Sequence, residues 1–536
     1  MRQAFSQIIV VVLVALVIAS CANRGTPSGG IKDIIPPKIT KSEPENYTTN
    51  FTGNEIKIYF DEYIKINNVS KQLIISPPMD PAPDIIPLSS ASKYIKITIK
   101  DTLAPNTTYA FNFGNSIVDN NEENPYPFYK YVFSTGSYID SLSIKGITVD
   151  ATLRKPDDFI SVMLYEVDST FTDSIIFKKN PRYVTNTLDS TTTFSLENLK
   201  AGKYKLVALK DKNQDYKFQP QTDKIAFHEG FIDVPVDSTT SFTLKLFSED
   251  LEPKITRPRL VSGEKIVFPF EGDYENMRIQ TTETVPDNFE YRITKDAKAD
   301  TLYYWYKPRL EVDSLQFNVA NKNYDQNFIV KLSEQKRDTM SIQVEPNGLL
   351  NFNDEFKISN TVPFTRFQKN RVTVLDKDSV AVDYKVKLDS LTNTYTLNFD
   401  KKESETYRIQ LLPEALTDFF DNKNDTLNYQ LTTKTYSDYG NVRVILQNAT
   451  YPIIAQITDE KGNVIAEQYS EKPEPIDFRH LKTGIFYMRV IYDTNKNKKY
   501  DTGNYLKKIQ PERVNYYKDK LDVRSNFDNI YEFTLF

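Results

Sequence analysis

Short segments in which apolar and polar residues alternate with a period of two recur along almost the whole chain. Residues 56–61, 94–100 and 109–113 are examples, and turn residues such as Pro77-Pro78 separate such segments. Because successive side chains of a β-strand point to opposite faces of a sheet, this alternation predicts half-buried strands. Apolar residues at helical spacing are almost absent. The chain is therefore predicted to be all-β, built of tandem antiparallel β-sandwiches.

The composition fits a globular chain that is rich in strands. Of the 536 residues, 39% are hydrophobic and 13% are aromatic, and aromatic side chains are enriched in strands. The formal net charge of -5 provides no basic footprint for nucleic acid. Since the chain has a single cysteine, no internal disulfide can form, and each domain must be stabilised by its own core.

The single cysteine, Cys21, ends an apolar N-terminal stretch. Arg2 and the aliphatic residues 8–18 have the build of a secretory signal, and the small residues Ala19 and Ser20 precede the cysteine. This order resembles the lipobox of bacterial lipoproteins, in which the thiol is lipidated and the preceding segment is removed. The resemblance implies a signal peptide over residues 1–20 and a membrane contact through an N-terminal lipid. The alternatives are an ordinary signal peptide with an incidental cysteine and a single anchor helix.

Residues 21–36 are rich in Gly, Pro, Ser and Thr, which predicts a flexible tether. The first acidic residue after Cys21 is Asp33. The chain resembles lipoproteins of the Bacteroidota, whose surface-exposed members commonly carry acidic residues soon after the lipidated cysteine. The resemblance therefore implies an outer-membrane protein and favours the periplasmic face over the cell surface.

Four short motifs mark the segment that follows the tether. They are PPKI at 36–39, IYFDEYI at 58–64, TYAF at 108–111 and YVFSTG at 131–136. Together they resemble the bacterial Ig-like domain of S-layer and Bacteroidota surface proteins, over residues 37–136. The resemblance implies an Ig-like sandwich and is uninformative about activity.

The next segment, residues 138–248, has a different series of motifs. A polar–apolar strand at 193–196 is followed by the turn LKAGKY at 199–204 and the loop DKNQD at 211–215. This order resembles prealbumin-like sandwiches of the carboxypeptidase-regulatory type. The resemblance implies a small, rigid and non-catalytic domain.

The C-terminal part of the chain repeats both segments. Residues 199–218 align without gaps on residues 481–500, with nine positions from glycine to aspartate in each. This repeat predicts a second Ig-like copy at 348–436 and a second prealbumin-like copy at 438–536. Residues 254–346 are predicted to form a further β-sandwich of unknown family. We therefore expect rigid sandwiches arranged in line.

Asp211, Asn213 and Asp215 place oxygen ligands at alternate positions, as in a calcium loop. Tyr216 and Thr222, however, stand where an EF-hand needs a glycine and a bidentate acid. The other interpretation is an Asx-rich turn, in which short side chains bond to nearby backbone amides. Calcium is the only cofactor for which the sequence offers candidate ligands.

Trp305 and Tyr303 are candidates for a platform on which a sugar ring stacks. Because alternate residues of a strand face opposite sides, at most half of the aromatic residues at 303–306 can line one surface. The alternative is plain packing in a core. The two histidines provide almost no material for a catalytic triad or a zinc site.

These observations predict a non-enzymatic, outer-membrane-anchored lipoprotein. Its expected role is that of a scaffold or binding subunit of an envelope assembly, with another envelope protein as its partner. The alternative is a surface lipoprotein that binds or processes glycans, through the aromatic residues near Trp305 or through paired carboxylates.

Overall fold

The computed structural model describes residues 33–88, 90–188 and 191–535. The predicted signal peptide, Cys21 and most of the tether lie outside these residues. The described chain is built almost entirely of strands in antiparallel sheets, so the prediction of tandem β-sandwiches is confirmed. Its helical segments are short: Val69–Gln72, Asp173–Phe177, Lys369–Arg371 and Tyr436–Asp438. Within the described ranges, no helix has the length and apolar character needed to cross a membrane.

The strands form five β-sandwiches, which we number in chain order. Sandwich 1 contains β1 (Ile39–Glu43), β2 (Glu55–Ile66), β3 (Ile74–Ser76), β4 (Asp84–Ile86), β5 (Ser92–Thr98), β6 (Thr108–Asn112), β7 (Ile117–Asp119) and β8 (Lys130–Ser134). Sandwich 2 contains β9 (Leu142–Asp150), β10 (Ser161–Glu166), β11 (Tyr183–Asn186), β12 (Thr193–Leu199), β13 (Gly202–Lys210), β14 (Lys224–Phe227), β15 (Ile232–Val234) and β16 (Phe242–Leu246).

Sandwich 3 contains β17 (Lys254–Ile255), β18 (Arg259–Ser262), β19 (Lys265–Glu271), β20 (Arg278–Thr281), β21 (Glu290–Lys295), β22 (Thr301–Lys307), β23 (Ser314–Asn321) and β24 (Tyr324–Lys331). Sandwich 4 contains β25 (Ile342–Glu345), β26 (Gly348–Leu349), β27 (Phe356–Asn360), β28 (Phe364–Phe367), β29 (Val372–Leu375), β30 (Lys385–Asp389), β31 (Thr394–Asn398), β32 (Thr406–Leu411), β33 (Leu416–Asp418) and β34 (Leu427–Thr432). Sandwich 5 contains β35 (Gly440–Gln447), β36 (Ile453–Thr458), β37 (Val464–Ser470), β38 (Ile476–Leu481), β39 (Gly484–Tyr492), β40 (Val514–Tyr516), β41 (Leu521–Val523) and β42 (Phe527–Thr534).

Sandwiches 2 and 5 have the same topology. One sheet runs β11-β10-β13-β14, with β15 also paired to β13, and its equivalent runs β37-β36-β39-β40, with β41 paired to β39. The second sheets are β12-β9-β16 and β38-β35-β42. In both, the last strand pairs in parallel with the first. This strand-by-strand correspondence is what a duplication of the segment produces.

Sandwiches 1 and 4 also correspond. Their first sheets run β1-β2-β5-β4 and β25-β27-β31-β30, and their second sheets contain β3-β6-β8 and β29-β32-β34. In sandwich 1, the long strand β2 pairs with β7 as well as with β5. In sandwich 4, two strands share the corresponding pairings: β27 pairs with β31, and β28 pairs with β33. The duplicated fold therefore tolerates an interruption in its longest strand.

Strand β25 lies outside the range that the sequence predicts for the second Ig-like copy. Ile342–Glu345 falls in the predicted segment 254–346, yet it pairs antiparallel with β27 in sandwich 4. Its apolar residues Ile342 and Val344 pack against the core of that sandwich. This edge strand therefore lies with the sandwich that follows it, before the predicted start at residue 348.

In sandwich 1 the core comes from every second residue of strands such as β2, whereas β10 and β13 of sandwich 2 and β36 of sandwich 5 are buried on both faces. In sandwich 1, Ile56 and Ile58 of β2 and Ile95 and Ile97 of β5 are fully buried, facing aromatic residues such as Phe111 of the other sheet. Full burial of one such side chain stabilises the fold by about 1.5–3 kcal/mol. In a strand such as β2, the period of two in the sequence thus becomes one buried and one more exposed face.

The described chain divides into two compact units. Unit 1 comprises the described residues through Leu142 together with Glu197–Lys200, and unit 2 comprises Ser143–Leu196 and the chain from Ala201 onward. Most of sandwich 2 and all of sandwiches 3, 4 and 5 lie in unit 2.

A substitution of Gly146 on β9 tests the packing of sandwich 2. A Cβ atom at this position would lie 2.1 Å from the carbonyl oxygen of Phe242 and 2.6 Å from the ring of Phe194. We expect Gly146→Ala to destabilise the sandwich by about 1–3 kcal/mol through overpacking, measured as a lower Tm by calorimetry. Gly230→Ala is the matched control, since its Cβ would meet nothing within 4 Å. Equal Tm values for the two variants would contradict the packing described.

Candidate functional site: the docked loop of sandwich 5

Sandwiches 2 and 5, which share one topology, differ in the loop that follows their acidic turn. In sandwich 2, twelve positions separate Asp211 from Asp223, and in sandwich 5 nineteen positions separate Asp493 from Glu512. The seven additional residues lie within the stretch 502–511, which we call the docked loop.

Asp223 and Glu512 close the two loops in the same way. Each carboxylate accepts a backbone N–H from the residue after the first aspartate and a second one from the residue where the acidic turn ends. Both carboxylates are at least nine-tenths buried. The donors are Lys212 and Gln219 in sandwich 2 and Thr494 and Asp501 in sandwich 5. The loop closure is therefore equivalent, and the insertion lies between fixed ends.

The docked loop packs on sandwich 2. Tyr505, at its centre, is fully buried, and its ring meets that of Phe227 edge-on at a centroid distance of 5.3 Å. The Tyr505 backbone N–H donates to a carboxylate oxygen of Glu249, next to the end of sandwich 2. Gly503 lies so close to Phe247 that a Cβ would approach the ring to 2.6 Å. An aromatic anchor and a close backbone approach therefore hold the loop in place.

Polar contacts surround this anchor. The Lys508 ammonium pairs with the carboxylate of Asp173, and the side-chain amide of Gln510 donates to the carbonyl of Phe227 at 3.0 Å. The Thr502 hydroxyl donates to the carbonyl of Ser248. The contact thus has a buried aromatic centre and a polar rim, as protein–protein interfaces do.

A buried lysine of sandwich 2 lies beneath the docked loop. Lys205 of β13 is fully buried, and its ammonium donates to the carbonyls of His228 and Glu229. Its Nζ lies 6.0 Å from the ring centroid of Tyr505. Burial, and to a lesser degree the charge of Lys508, lowers the pKa of Lys205 to about 8. Tyr505 is therefore one wall of an enclosure around this amine.

Sandwich 2 also contributes a loop to its contact with sandwich 5. The carbonyl of Thr152, just after β9, accepts hydrogen bonds from Arg489 and from the hydroxyl of Tyr516. The Arg154 guanidinium lies over the ring of Tyr487 at 4.8 Å. Each copy thus contributes a loop that contacts the other.

These contacts differ from the expected arrangement of sandwiches in line. Within unit 2, sandwich 2 contacts sandwich 5, although sandwiches 3 and 4 lie between them in the chain. The physical cause is the insertion at 502–511, whose Tyr505 fills an apolar recess on sandwich 2. The gap-free alignment ends at residues 218 and 500, just before the insertion. Extending it to Asp223 and Glu512 is the sequence signal that would have revealed the loop.

The first residue of the candidate calcium loop makes the hydrogen bonds of an Asx turn. Oδ1 of Asp211 accepts the N–H of Gln214, and Oδ2 accepts that of Tyr216, each at 2.7 Å. Asp493 occupies the same place in sandwich 5, where Oδ2 accepts the N–H of Lys498 at 2.9 Å. Both copies therefore use this aspartate to fold the turn.

The other two candidate ligands are engaged within the same loop. Asp215 accepts the Lys217 N–H and the Gln219 side-chain amide, each at 2.9 Å. The Asn213 amide donates to the Gln219 side-chain oxygen. In the part of the chain that the structure covers, no group of three or more His, Cys, Asp or Glu side chains could hold a metal ion.

The aromatic pair at Trp305 and Tyr303 lies where sandwich 3 meets sandwich 4. Trp305 is 1% exposed, and it packs against Val362 and Phe419 of sandwich 4. Tyr303 is half-buried and lines a cleft of about 620 Å³ between the two sandwiches, where the Lys265 ammonium lies 4.2 Å from its ring centroid. Trp305 therefore presents no open face on which a sugar could stack, and Lys265 covers one face of Tyr303.

Comparison with known families gives one match. A model described as a bacterial Ig-like domain matches residues 33–135, in agreement with the resemblance noted for residues 37–136. Comparison with curated proteins finds no match.

Several solved structures of multi-domain proteins are similar to this chain. Domains 1–6 of the surface layer protein SbsC are 10% identical, with 91% of this chain and 67% of that chain covered and a TM-score of 0.15. The TIE protein of Bacillus anthracis is 11% identical, with 95% and 75% covered and a TM-score of 0.14. The titin fragment I67–I69 is 12% identical, with 52% and 98% covered and a TM-score of 0.12. At these values, the similarities carry no information on activity or partners.

Replacing the aromatic anchor should release the docked loop. We expect Tyr505→Ala to increase amide hydrogen exchange in residues 502–511 and in β14 by about tenfold or more, because the apolar contact is lost. Leu506→Ala is the matched control, since Leu506 belongs to the same loop and is 54% exposed. Equal exchange in the two variants would show that Tyr505 does not anchor the loop.

The depressed pKa of Lys205 predicts a pH dependence of stability. Because the unfolded lysine keeps its ordinary pKa of 10.5 and the folded one titrates near 8, the unfolded chain binds more protons between these values. The free energy of unfolding should therefore rise with pH in this window, on the order of 1–3 kcal/mol relative to Lys205→Met. Urea titrations of both proteins at pH 7.5 and pH 10.5 measure the difference. A constant difference would contradict a desolvated amine.

Proposed function

We propose that this chain is a non-enzymatic outer-membrane lipoprotein of a Bacteroidota-type envelope, lipidated at Cys21 and facing the periplasm. Its sandwiches serve as a scaffold or binding subunit of an envelope assembly. The lipid holds the chain at the membrane, and the sandwiches present fixed surfaces to a protein partner.

The observation that carries this proposal is the contact between sandwiches 2 and 5. A chain of independent sandwiches has flexible junctions, whereas a loop that joins the first and last sandwiches of unit 2 restricts their relative motion. The buried Tyr505 and the ion pair between Lys508 and Asp173 supply this restraint. A scaffold gains from it, because surfaces that are already positioned lose less entropy when a partner binds.

The chemistry of the described polar clusters supports a role without catalysis. Asp211, Asp215 and Asp223 are engaged in closing their loop. Glu264, which is 99% buried, is held by Arg309 at 2.8 Å and Arg337 at 2.7 Å. A carboxylate enclosed by two guanidinium groups is a structural ion pair rather than an available acid or base.

Lipidation is tested by replacing the thiol. We expect Cys21→Ser to abolish incorporation of a clickable fatty acid and to move the protein from the membrane pellet to the supernatant, because the acyl chains provide the membrane affinity. Ser20→Ala is the matched control, since it keeps a small residue before the cysteine. A Cys21→Ser protein that still sediments with membranes would contradict the proposed anchor.

The scaffold role is tested by recovery of a partner. Crosslinking in the native envelope, followed by affinity purification of the tagged lipoprotein, should recover one envelope protein in stoichiometric amount. The Tyr505→Ala variant should recover less of it. If no stoichiometric partner is recovered from either form, the scaffold proposal fails.

A further inference from the structure

Strand β24 is a long and regular edge strand of sandwich 3. It has eight residues, from Tyr324 to Lys331, and each has a register partner on β23, without a bulge. In the described ranges, no strand pairs with its other side, where the sheet order β20-β23-β24 ends. Many proteins shorten, bulge or interrupt such an edge with proline, because an open edge is a template for another strand. Strand β24 uses none of these three devices.

The hairpin that joins β23 to β24 determines which backbone groups face the open edge. Its turn consists of residues 322–323, so the flanking pair Asn321–Tyr324 is hydrogen-bonded, and hydrogen-bonded pairs alternate from there. The bond from the Leu332 N–H to the carbonyl of Asp313 at 2.8 Å continues this alternation. The even-numbered residues of β24 therefore bond to β23, and the N–H and C=O groups of its odd-numbered residues point to the open edge.

The four odd-numbered residues also share the outer face of the sheet. They are Asp325, Asn327, Ile329 and Lys331, and all four are exposed. Ile329 is 69% exposed, although isoleucine is among the residues that are most often buried. An exposed apolar side chain on a strand with an open edge indicates a place where another strand can add to the sheet.

The charges at the two ends of β24 are opposite. Asp325 lies beside the hairpin turn and Lys331 is the last residue, so about 20 Å separates them along the strand. Asp325 accepts the side-chain amide of Asn318 at 2.6 Å, and the only other charged residue in this sheet is Arg278, two strands away on β20. A strand with a basic residue opposite Asp325 and an acidic residue opposite Lys331 would match this edge.

Strand β24 itself meets this requirement. When two copies pair antiparallel about Phe328, Asp325 lies opposite Lys331 of the second copy and Asn327 lies opposite Ile329, because each pair is equally far from the centre. All four outward-facing residues then belong to hydrogen-bonded pairs, each with two backbone bonds. The two-fold axis produces the ion pair twice.

Neighbouring registers fit this edge less well. A shift by two residues in one direction places Asp325 opposite Ile329 and Lys331 opposite the hairpin turn. A shift in the other direction places Lys331 opposite Asn327 and leaves Asp325 beyond the end of the second strand. Each shift loses both ion pairs and one hydrogen-bonded pair, so the charges select the register centred on Phe328.

Strand β42 shows that length and exposure do not suffice for such pairing. This edge strand of sandwich 5 also has eight residues, and its Ile530 is 64% exposed. An antiparallel pair of two β42 strands about Ile530, however, places Asp528 opposite Glu532 of the second copy, so like charges meet twice. Of the two edges, β24 is the one that is complementary to itself.

We propose that β24 binds β24 of a second copy of this chain, antiparallel and centred on Phe328, so that one sheet continues across two chains. Backbone hydrogen bonds supply the affinity, and the two ion pairs between Asp325 and Lys331 fix the register. Because the contact is a single strand edge, the dimer is reversible. The contact goes beyond the proposed scaffold role, since it uses neither the lipid at Cys21 nor the docked loop.

Exchange of the two charges tests both the contact and its register. Asp325→Lys brings two pairs of lysines together, and Lys331→Asp brings two pairs of aspartates together. The double variant restores two opposite pairs with their order reversed. Ile329→Lys places a charge at the centre of the edge, and its matched control is Ile530→Lys on β42. Sedimentation velocity of the full chain in detergent, at about 2–200 µM, measures the dimerisation of each protein.

We expect the wild type to dimerise in the micromolar range and Ile530→Lys to match it. Ile329→Lys and each single charge variant should dimerise at least about tenfold more weakly, since like charges or an edge lysine oppose the pairing. The double charge variant should return to within about threefold of the wild type.

Three results would overturn the proposal. The first is a wild type that stays monomeric up to about 200 µM. The second is equal weakening by Ile329→Lys and Ile530→Lys, or equal association of all variants, which would assign the association to another surface or to the lipid. The third is a double charge variant that dimerises no better than the single variants, because pairing about Phe328 requires the rescue.

Discussion

Apolar packing between two sheets is the interaction on which every part of this structure depends. No internal disulfide cross-links the chain, so each sandwich is held by its own apolar core, to which Ile56 and Ile58 contribute in sandwich 1. A shift of one residue in register would exchange the buried and the solvated face of a strand. Strand registers are therefore tightly fixed, while loops and outer faces can vary without cost to the core.

The same reasoning explains which features of the fold could be predicted. Alternation identifies strands because burial on one face leaves a trace in the sequence, and the repeated Leu-Lys-x-Gly turn identified the duplication. The membership of strand β25 in sandwich 4 could not be predicted, because its residues Ile342 and Val344 reveal a strand but not the sheet that it joins. The contact of Tyr505 with Phe227 joins positions far apart in the chain, and no local pattern marks such a pair.

The candidate sites show a similar division. The Asx turn at Asp211 was among the stated alternatives, because short acidic side chains near backbone amides fold turns in any context. Plain packing of Trp305 was also among the stated alternatives, whereas the residues that cover it, Val362 and Phe419, come from another sandwich and could not be identified from the sequence.

The duplicated copies separate what the fold requires from what it permits. Topology and core are alike in each pair, because insertions or polar groups in a packed interior are costly. The clearest difference lies where packing imposes no such cost, in a loop that is seven residues longer in sandwich 5. This loop creates a contact that the other copy lacks. Folding within a single sandwich does not explain the longer loop, so it is best understood as a feature that binds one sandwich of the chain to another.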